Sequence, residues 1–491
     1  MNLQDTAPRL LRLFIAGFFL VLVQVGYWTL YRGAELSNHQ RNPRYWTRVR
    51  SVERGRILDS HGQTLAESVP DTQPAKKADD DLPSALRRHL YRRQYPQRDL
   101  LAHVVGYSDW RQGQAGVESA LSAYLTPPQA LAMPRSFWEL LAPPPQRGDD
   151  VVLTIDLALQ RAASEALGRR SGAVVAIDVQ TGAVLAMADY PRFDPAAVSD
   201  SQAWSKLLAD DKDHPLLPRA YAGLYPPGST FKVLTAAAAL QAGTANPQST
   251  YQCDGKDVLG HSTVICDKRS GHGKITLERG IAQSCNIALA HVALDLGAAR
   301  WQQTVLATGI EQRPALFRPG QGTSLVPPGK MPTGAELTSA QLAACGYGQG
   351  ALAVTPLYLA GLGQMLGNGG LRREPYLVDR ITGPDGGVLF KAAPDAGNQV
   401  VSAAAAGSTL AMMAKVFESG GTAAGLSRGL ELAGKTGSAQ NPHGQAHSWF
   451  LAIGPARNPR VAVAVVVENA GWGRVAAGPV AVKVMRAALE R

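Results

Sequence analysis

Cysteine is scarce in this chain. Four in 491 residues exclude a disulfide-dense scaffold. Basic runs interleaved with aromatics are missing as well, so the net charge of +10 does not point to nucleic acid. A basic surface of this kind suits anionic lipid or an anionic wall polymer. One long apolar run occurs, and no small-x-small cleavage site follows it closely. Only 12 residues precede it, so a cytoplasmic effector domain is not expected. The low hydrophobicity of disordered chains is also absent. With 45% hydrophobic residues, a chain of this length holds two or three folded domains and a large core.

The apolar run is Leu13 to Leu30, interrupted strongly only by Gln24. Its 18 residues, at about 1.5 Å each, nearly span a bilayer core of about 30 Å. Arg9 and Arg12 precede it, and Tyr27, Trp28 and Tyr31 follow as an interfacial belt would. An uncleaved signal anchor over 13–31 is expected, with a cytoplasmic tail at 1–12. The rest of the chain then lies on the periplasmic or extracellular side. Arginines 32, 41, 44, 48, 50, 54 and 56 oppose that orientation by positive-inside counting, but long domains translocate regardless.

Residues 32–150 read as a small α+β module. Arg54 to Asp59 and Gly62 to Ala66 give strand, turn, strand. Residues 69–99 are polar, charged and Pro-containing and read as a loop; order resumes at His103. The stretch 142–150, with three consecutive prolines, reads as a linker. Residues 151–491 then form one larger α/β domain. Val151 to Asp156 opens it, and Leu157 to Leu167 is helical in pattern. Gly172 to Asp178 and Ala183 to Ala188 are split by Gln180-Thr181-Gly182 as in a hairpin. Helical, Ala-rich segments are expected from Phe231 to about residue 366. Leu432 to Ala439, His447 to Gly454 and Val461 to Glu468 read as three strands, the last apolar on both faces. Val480 to Leu489 returns as a helix. First and last segments should meet in one sheet with helices between them.

Within this domain Tyr225-Pro226-Pro227-Gly228 stops the chain and Ser229-Thr230-Phe231-Lys232 opens a helix. Ser229 is expected at a helix N-terminus, with Lys232 one turn on along the same face. A serine hydroxyl attacks only when a base removes its proton, and an uncharged lysine three residues away can be that base. Alone, the pair also fits an N-cap serine beside a solvated lysine. Ser284-Cys285-Asn286 lies between helical segments, where Ser284 could simply cap. Lys435-Thr436-Gly437-Ser438 falls in the first late strand and could be an ordinary edge.

The three motifs together, in this order, resemble the set of penicillin-binding proteins and class A β-lactamases. The resemblance assigns the roles. Ser229 attacks the carbonyl of an acyl-D-alanyl-D-alanine tail and Lys232 takes its proton. Ser284 passes the proton to the leaving amine, while Asn286 bonds the substrate amide and holds Lys232. Lys435 is a fixed positive charge for the terminal carboxylate, helped by Thr436, and Gly437 leaves room for backbone to approach. The N–H groups of Ser229 and Ser438 form the oxyanion hole. Over nearly its whole length the chain resembles the class B penicillin-binding proteins. The likeness includes Ala433 to Ala439, Leu153-Thr154-Ile155-Asp156, Gly348-Gln349-Gly350 before Val354-Thr355-Pro356, and Asn368-Gly369-Gly370. Arg54-Gly55-x-Ile57-x-Asp59 with Gly62-x-x-Leu65-Ala66 resembles that family's N-terminal pedestal, here short. This implies the penicillin-binding serine-transpeptidase fold, an antiparallel sheet sandwiched by helices. It implies a membrane-anchored D,D-transpeptidase acting on peptidoglycan stem peptides and acylated by β-lactams. It also implies a partner glycosyltransferase with many membrane spans. The rival readings are a carboxypeptidase or β-lactamase, a β-lactam sensor and an inactive scaffold. The anchor, the short tail and the three intact motifs disfavour them in turn.

Cys253, Cys266, His272 and Cys285 fall within 33 residues. Three thiolates and an imidazole would complete a tetrahedral zinc site, and members of the penicillin-binding protein 2 type resemble this region in holding a metal there. A Cys253–Cys266 disulfide, or plain packing of Cys285, is the alternative. No cofactor is expected for the chemistry itself. Cys345, in an Ala-rich stretch, is expected in the core. His447, Trp449 and Glu468 are expected to serve strand edges, and no Glu is evidently placed to activate a deacylating water.

Overall fold

The computed structural model describes residues 3–33, 50, 52–71, 90–126, 147–320, 324–332, 337–441 and 444–491. Helix α1 (Leu3–Gly26) runs on into a π-turn, Tyr27–Tyr31. Leu11–Tyr31 has a mean hydropathy of 2.0 and is long and apolar enough to cross a membrane, and none of it is buried in the fold.

Strands β1 (Ile57–Leu58) and β2 (Thr64–Pro70) form the expected antiparallel pair. Asp59 shapes the turn between them, its carboxylate accepting from the N–H groups of His61 and Gln63. The expected loop at 69–99 is corrected at both ends. β2 runs to Pro70, and β3 (Tyr91–Gln94) pairs with it; residues 72–89 lie outside the described residues. β3 carries two arginines, so it reads as loop. The charge is neutralised inside the fold: Arg93 and Arg54 each hold a different oxygen of fully buried Glu118, at 2.6 and 2.7 Å. β4 (Asp150–Leu153) lies parallel to β1.

Helix α2 (Leu157–Leu167) starts where the Asp156 side chain accepts from Leu159 N–H. The hairpin β5 (Gly172–Asp178) and β6 (Val184–Tyr190) follows, then the single turn α3 (Arg219–Ala222) and α4 (Lys232–Ala242). Helices dominate up to about residue 366 as expected, but four short strands that the sequence reading did not include interrupt them. β7 (Thr250–Cys253) pairs with β10 (Gly273–Thr276), and β8 (Lys256–Leu259) with β9 (Ser262–Ile265). Gly255 and Gly271 explain the break. Both have positive φ, and a Cβ there would lie 2.0 Å from the Arg269 carbonyl and 2.2 Å from the Cys253 carbonyl. Helices α5 (Asn286–Leu296) and α6 (Pro356–Gly367) come next, then β11 (Val378–Thr382) and β12 (Val388–Lys391). The chain ends with α7 (Ala403–Ala414), β13 (Ala433–Ala439), β14 (His447–Gly454), β15 (Val461–Val467) and α8 (Ala477–Leu489).

Two sheets organise these elements. The first has the order β12-β11-β4-β1-β2-β3, so β4 joins the N-terminal strands to β11 of the larger domain. The second is antiparallel, β13-β14-β15-β5-β6, and brings the first hairpin against the last strands as expected. Its alternate residues fill separate cores. Val175, Leu451, Ala464 and Val466 pack with α4, α5, α6 and α7, whereas Val174, Phe450, Val463 and Val465 pack with α2 and α8. Every residue of β15 is therefore buried, which is why it carries no polar face.

Candidate active site

The turn before α4 is held from several sides. Tyr225 exchanges backbone hydrogen bonds with Val354, at 3.0 and 2.8 Å, and Gly228 N–H donates to the Gly348 carbonyl at 2.9 Å. A Cβ on Gly348 would lie 1.8 Å from the Gly228 oxygen, so this approach requires glycine. A 3₁₀ turn, Gly228–Phe231, then feeds α4 at Lys232. Ser229 thus stands at a helix start as expected. Its side chain caps nothing, and among the described residues its hydroxyl has no hydrogen-bond partner.

Lys232 is not solvated. It is 0% exposed, and its Nζ donates to the Ser284 carbonyl at 2.6 Å, to Asn286 Oδ1 at 2.7 Å and to Ser284 Oγ at 3.1 Å. Burial lowers its pKa to about 8, while charge at Cys285, Asp267 and Cys266 opposes the shift. The Ser284 backbone is left-handed, at φ 60°, unusual for a residue with a Cβ. Its neighbours impose this. Cys285 N–H donates to the Gly280 carbonyl at 2.8 Å, and Cys285 Sγ accepts from Ala288 N–H at 3.4 Å as the cap of α5. Asn286 Nδ2 donates to the Ile265 carbonyl at 2.8 Å, tying the motif to the end of β9. Ser284 and Asn286 face Lys232, and Cys285 turns the other way.

The third motif lies on β13, the edge strand of the antiparallel sheet, with Lys435 opposite Leu451 and Ser438 opposite Ser448. It passes directly against the turn that carries Ser229. A Cβ on Gly437 would lie 2.9 Å from Thr230 Cγ2, and one on Gly228 would lie 3.1 Å from the Ser438 carbonyl. Gly437 therefore makes room first for the turn. Lys435 is wholly buried and donates to the Thr436 carbonyl at 3.1 Å. Burial, and then the charge of Lys232, press its pKa well below the usual lysine range. Thr436 Oγ1 donates to Thr422 Oγ1 at 2.8 Å, and Ser438 Oγ accepts from Gly473 N–H at 3.3 Å. Sequence motifs more than 50 and 140 positions apart thus pack against the turn and helix start that carry Ser229 and Lys232.

Cys253, Cys266, His272 and Cys285 form one cluster whose ligand atoms all lie within 4.8 Å of one another. His272 Nδ1 is 3.5 Å from Cys253 Sγ and 3.4 Å from Cys266 Sγ; Cys266 and Cys285 sulfurs are 3.9 Å apart. All four cysteines are free thiols, which corrects the Cys253–Cys266 disulfide alternative: the imidazole nitrogen is in contact with both sulfurs. Two sulfurs each about 2.3 Å from a zinc in tetrahedral geometry stand about 3.8 Å apart, so the donor set and its spacing fit that ion. The Cys266 thiol is held low by hydrogen bonds from Cys285 and His272, and the Cys285 thiol is pushed high by the same contact with Cys266. Cys345 sits buried in the helix Ser339–Gly346, where burial pushes its thiol up to about 12.

His447, Trp449 and Glu468 do lie at or near strand ends, but they also hold the Tyr225–Pro226 segment that leads into Ser229. Trp449 Nε1 donates to the Pro226 carbonyl at 3.0 Å. Tyr225 OH donates to Glu468 Oε1 at 2.6 Å, and the His447 ring meets the Tyr225 ring edge-on at 5.4 Å. Sequence reasoning missed this grip, since Tyr225 and Glu468 are 243 positions apart. It missed the contact of Gly348 with Gly228 for the same reason.

Comparison with known proteins agrees with the geometry. Residues 172–490 match the family described as penicillin binding protein transpeptidase domain, and residues 54–151 match the penicillin binding protein A dimerisation domain. The chain is 32% identical over 453 residues to the peptidoglycan D,D-transpeptidase PbpA of Mycolicibacterium smegmatis, covering 88% of this chain and 87% of that protein. It is similar to the solved penicillin G acyl-enzyme complex of penicillin-binding protein A from M. tuberculosis, with TM-score 0.77, 29% identity, and 89% and 100% of the two chains covered. The D,D-transpeptidase domain of a peptidoglycan glycosyltransferase from Eggerthella lenta gives TM-score 0.76 at 30% identity, covering 90% and 99%.

Proposed function

The chain belongs to the class B penicillin-binding proteins, and from that premise we propose that it cross-links peptidoglycan stem peptides through an acyl-enzyme on Ser229, the group β-lactams would acylate. One observation carries the residue assignment. The Lys232 ammonium is buried and bonded to Ser284 and Asn286 at the foot of the turn that presents Ser229.

Ser229 Oγ adds to the carbonyl carbon of the penultimate D-alanine while neutral Lys232 accepts its proton. Developing charge on the carbonyl oxygen is met by the N–H groups of Ser229 and Ser438. The C–N bond then breaks, and Ser284 relays the proton to the departing D-alanine amine. An amine of a second stem peptide attacks the ester and gives a proton to Lys232, which passes it to Ser229 Oγ as the C–O bond breaks and the cross-linked amide leaves. Asn286 holds the lysine and bonds the substrate amide. Thr436 and Lys435 take the terminal carboxylate, with Gly437 beside them. The burial of Lys435 refines its expected role. A carboxylate arriving there favours its ammonium form, and that positive charge in turn favours a neutral Lys232.

Residues 1–12 are read as a cytoplasmic tail, 13–31 as a single-pass anchor in the cytoplasmic membrane, 32–150 as the reduced pedestal and 151–491 as the external transpeptidase domain. A glycosyltransferase with many membrane spans is the partner this arrangement suits. A structural zinc on Cys253, Cys266, His272 and Cys285 would fix Cys285, and with it the flanking Ser284 and Asn286. It supplies structure and no reaction step. Gel labelling by a fluorescent penicillin tests the nucleophile: wild type should label and Ser229→Ala should not. Product that depends on an added acceptor, from a lipid-linked substrate, separates transfer from hydrolysis; labelling of Ser229→Ala would sink the reading.

A further inference from the structure

Glu468 lies one residue beyond β15, its N–H bonded to the Ser171 carbonyl at 2.7 Å. Its Oε1 accepts from Tyr225 OH at 2.6 Å and from Arg219 Nε at 2.9 Å. Arg219 is 2% exposed and donates also to the Asp213 and His214 carbonyls, at 2.7 and 3.1 Å. All three of its nitrogens are therefore engaged, and it does not swing. Tyr225 begins the stretch Tyr225-Pro226-Pro227-Gly228-Ser229, and two prolines restrict the backbone between it and the nucleophile. Trp449 holds the next residue by the Pro226 carbonyl.

We infer that Glu468 is a positioning residue for the acylation step: the Arg219–Glu468–Tyr225 bracket sets where the turn places Ser229 relative to Lys232 and β13. A carboxylate is the fitting group at this point. It accepts from a phenol and a guanidinium at one oxygen, and its charge offsets a buried cation that would otherwise be costly. No hydrogen bond links Glu468 to Ser229, Lys232 or Ser284 among the described residues, so it acts through Tyr225 and not on the reacting atoms. The inference rests on Ser229 being the nucleophile.

The test is Tyr225→Phe, which deletes one oxygen, together with Glu468→Gln and the double variant in the full-length protein. Stopped-flow acylation by a fluorescent penicillin separates the non-covalent dissociation constant from the acylation rate constant, with rates expressed per labelled site. Tyr225→Phe should lower the acylation rate constant by about tenfold or more and leave the dissociation constant within about twofold. Glu468→Gln should do the same, and the double variant should lose less than the product of the single losses. A merely structural role would lower the thermal midpoint and leave the rate per labelled site unchanged. Wild-type acylation rates in either single variant, a loss confined to the dissociation constant, or losses that multiply would each overturn the inference. Labelling in Ser229→Ala would instead overturn the assignment of the nucleophile, so the two failures are distinct.

Discussion

The pH dependence of acylation follows from the state of one amine. Lys232 can accept the Ser229 proton only when neutral, and burial brings its pKa to about 8. At that value the neutral fraction is about 1% at pH 6, about 9% at pH 7, about half at pH 8 and about 90% at pH 9. The reactive form is the deprotonated one, so the rate rises with pH and levels above the pKa. Acylation should climb about tenfold from pH 6 to 7, about fivefold to pH 8, and less than twofold to pH 9. The assay is stopped-flow labelling at constant ionic strength with a fluorescent penicillin that has no titrating group in this range. Asn286→Asp provides the internal control. Asn286 Oδ1 is 2.7 Å from Nζ, so a carboxylate there should raise the lysine pKa by about one to three units and move the rising limb to higher pH. A profile that is flat or falling between pH 6 and 9, or an Asn286→Asp limb at the wild-type position, would refute Lys232 as the base.

Purified protein should carry one zinc per chain, lost with Cys253→Ser or His272→Ala; metal-free protein whose thermal midpoint ignores a strong chelator would refute the site. Gly348→Ala should lower both the thermal midpoint and the acylation rate, since a Cβ 1.8 Å from the Gly228 carbonyl at positive φ costs about 1–3 kcal/mol and displaces the turn; an unchanged variant would refute the close approach. Glu118→Gln should destabilise the N-terminal module by about 3–5 kcal/mol in urea unfolding, because it leaves Arg54 and Arg93 buried without their counter-charge. Burial works against the Glu118 carboxylate, but Arg93 and Arg54 outweigh it and its pKa is lowered. Its contribution is thus full above about pH 4.3 and disappears as pH falls through the lower folded value; a urea midpoint unaffected by Glu118→Gln would refute it.

The three motifs that the proposal rests on could be picked out of the sequence because each is a short, local string. Residues one helical turn apart meet in any helix, and alternation in a strand needs no partner to be recognised. The same holds for the all-apolar β15, whose composition already requires cover on both faces. Charged strands were not legible. β3 looks like a loop until Glu118, 25 positions after Arg93, is found beside it. The ribbons β7–β10 were missed because their neighbours are Ala-rich helices, and only Gly255 and Gly271 betray the close backbone approach.

By itself, then, the chain's order of residues determined which groups are offered as candidates for chemistry, which run is long and apolar enough to cross a bilayer and which segments must be buried. Only tertiary structure decided the electrical state of those groups. Whether Lys232 and Lys435 are solvated ammoniums or buried amines depends on what surrounds them, and those surroundings come from distant segments. The union of Tyr225 with Glu468, and of four scattered ligands into one cluster, is likewise a matter of folding. Desolvation and hydrogen-bond geometry act over a few ångströms in space, and distance along the chain does not measure that separation.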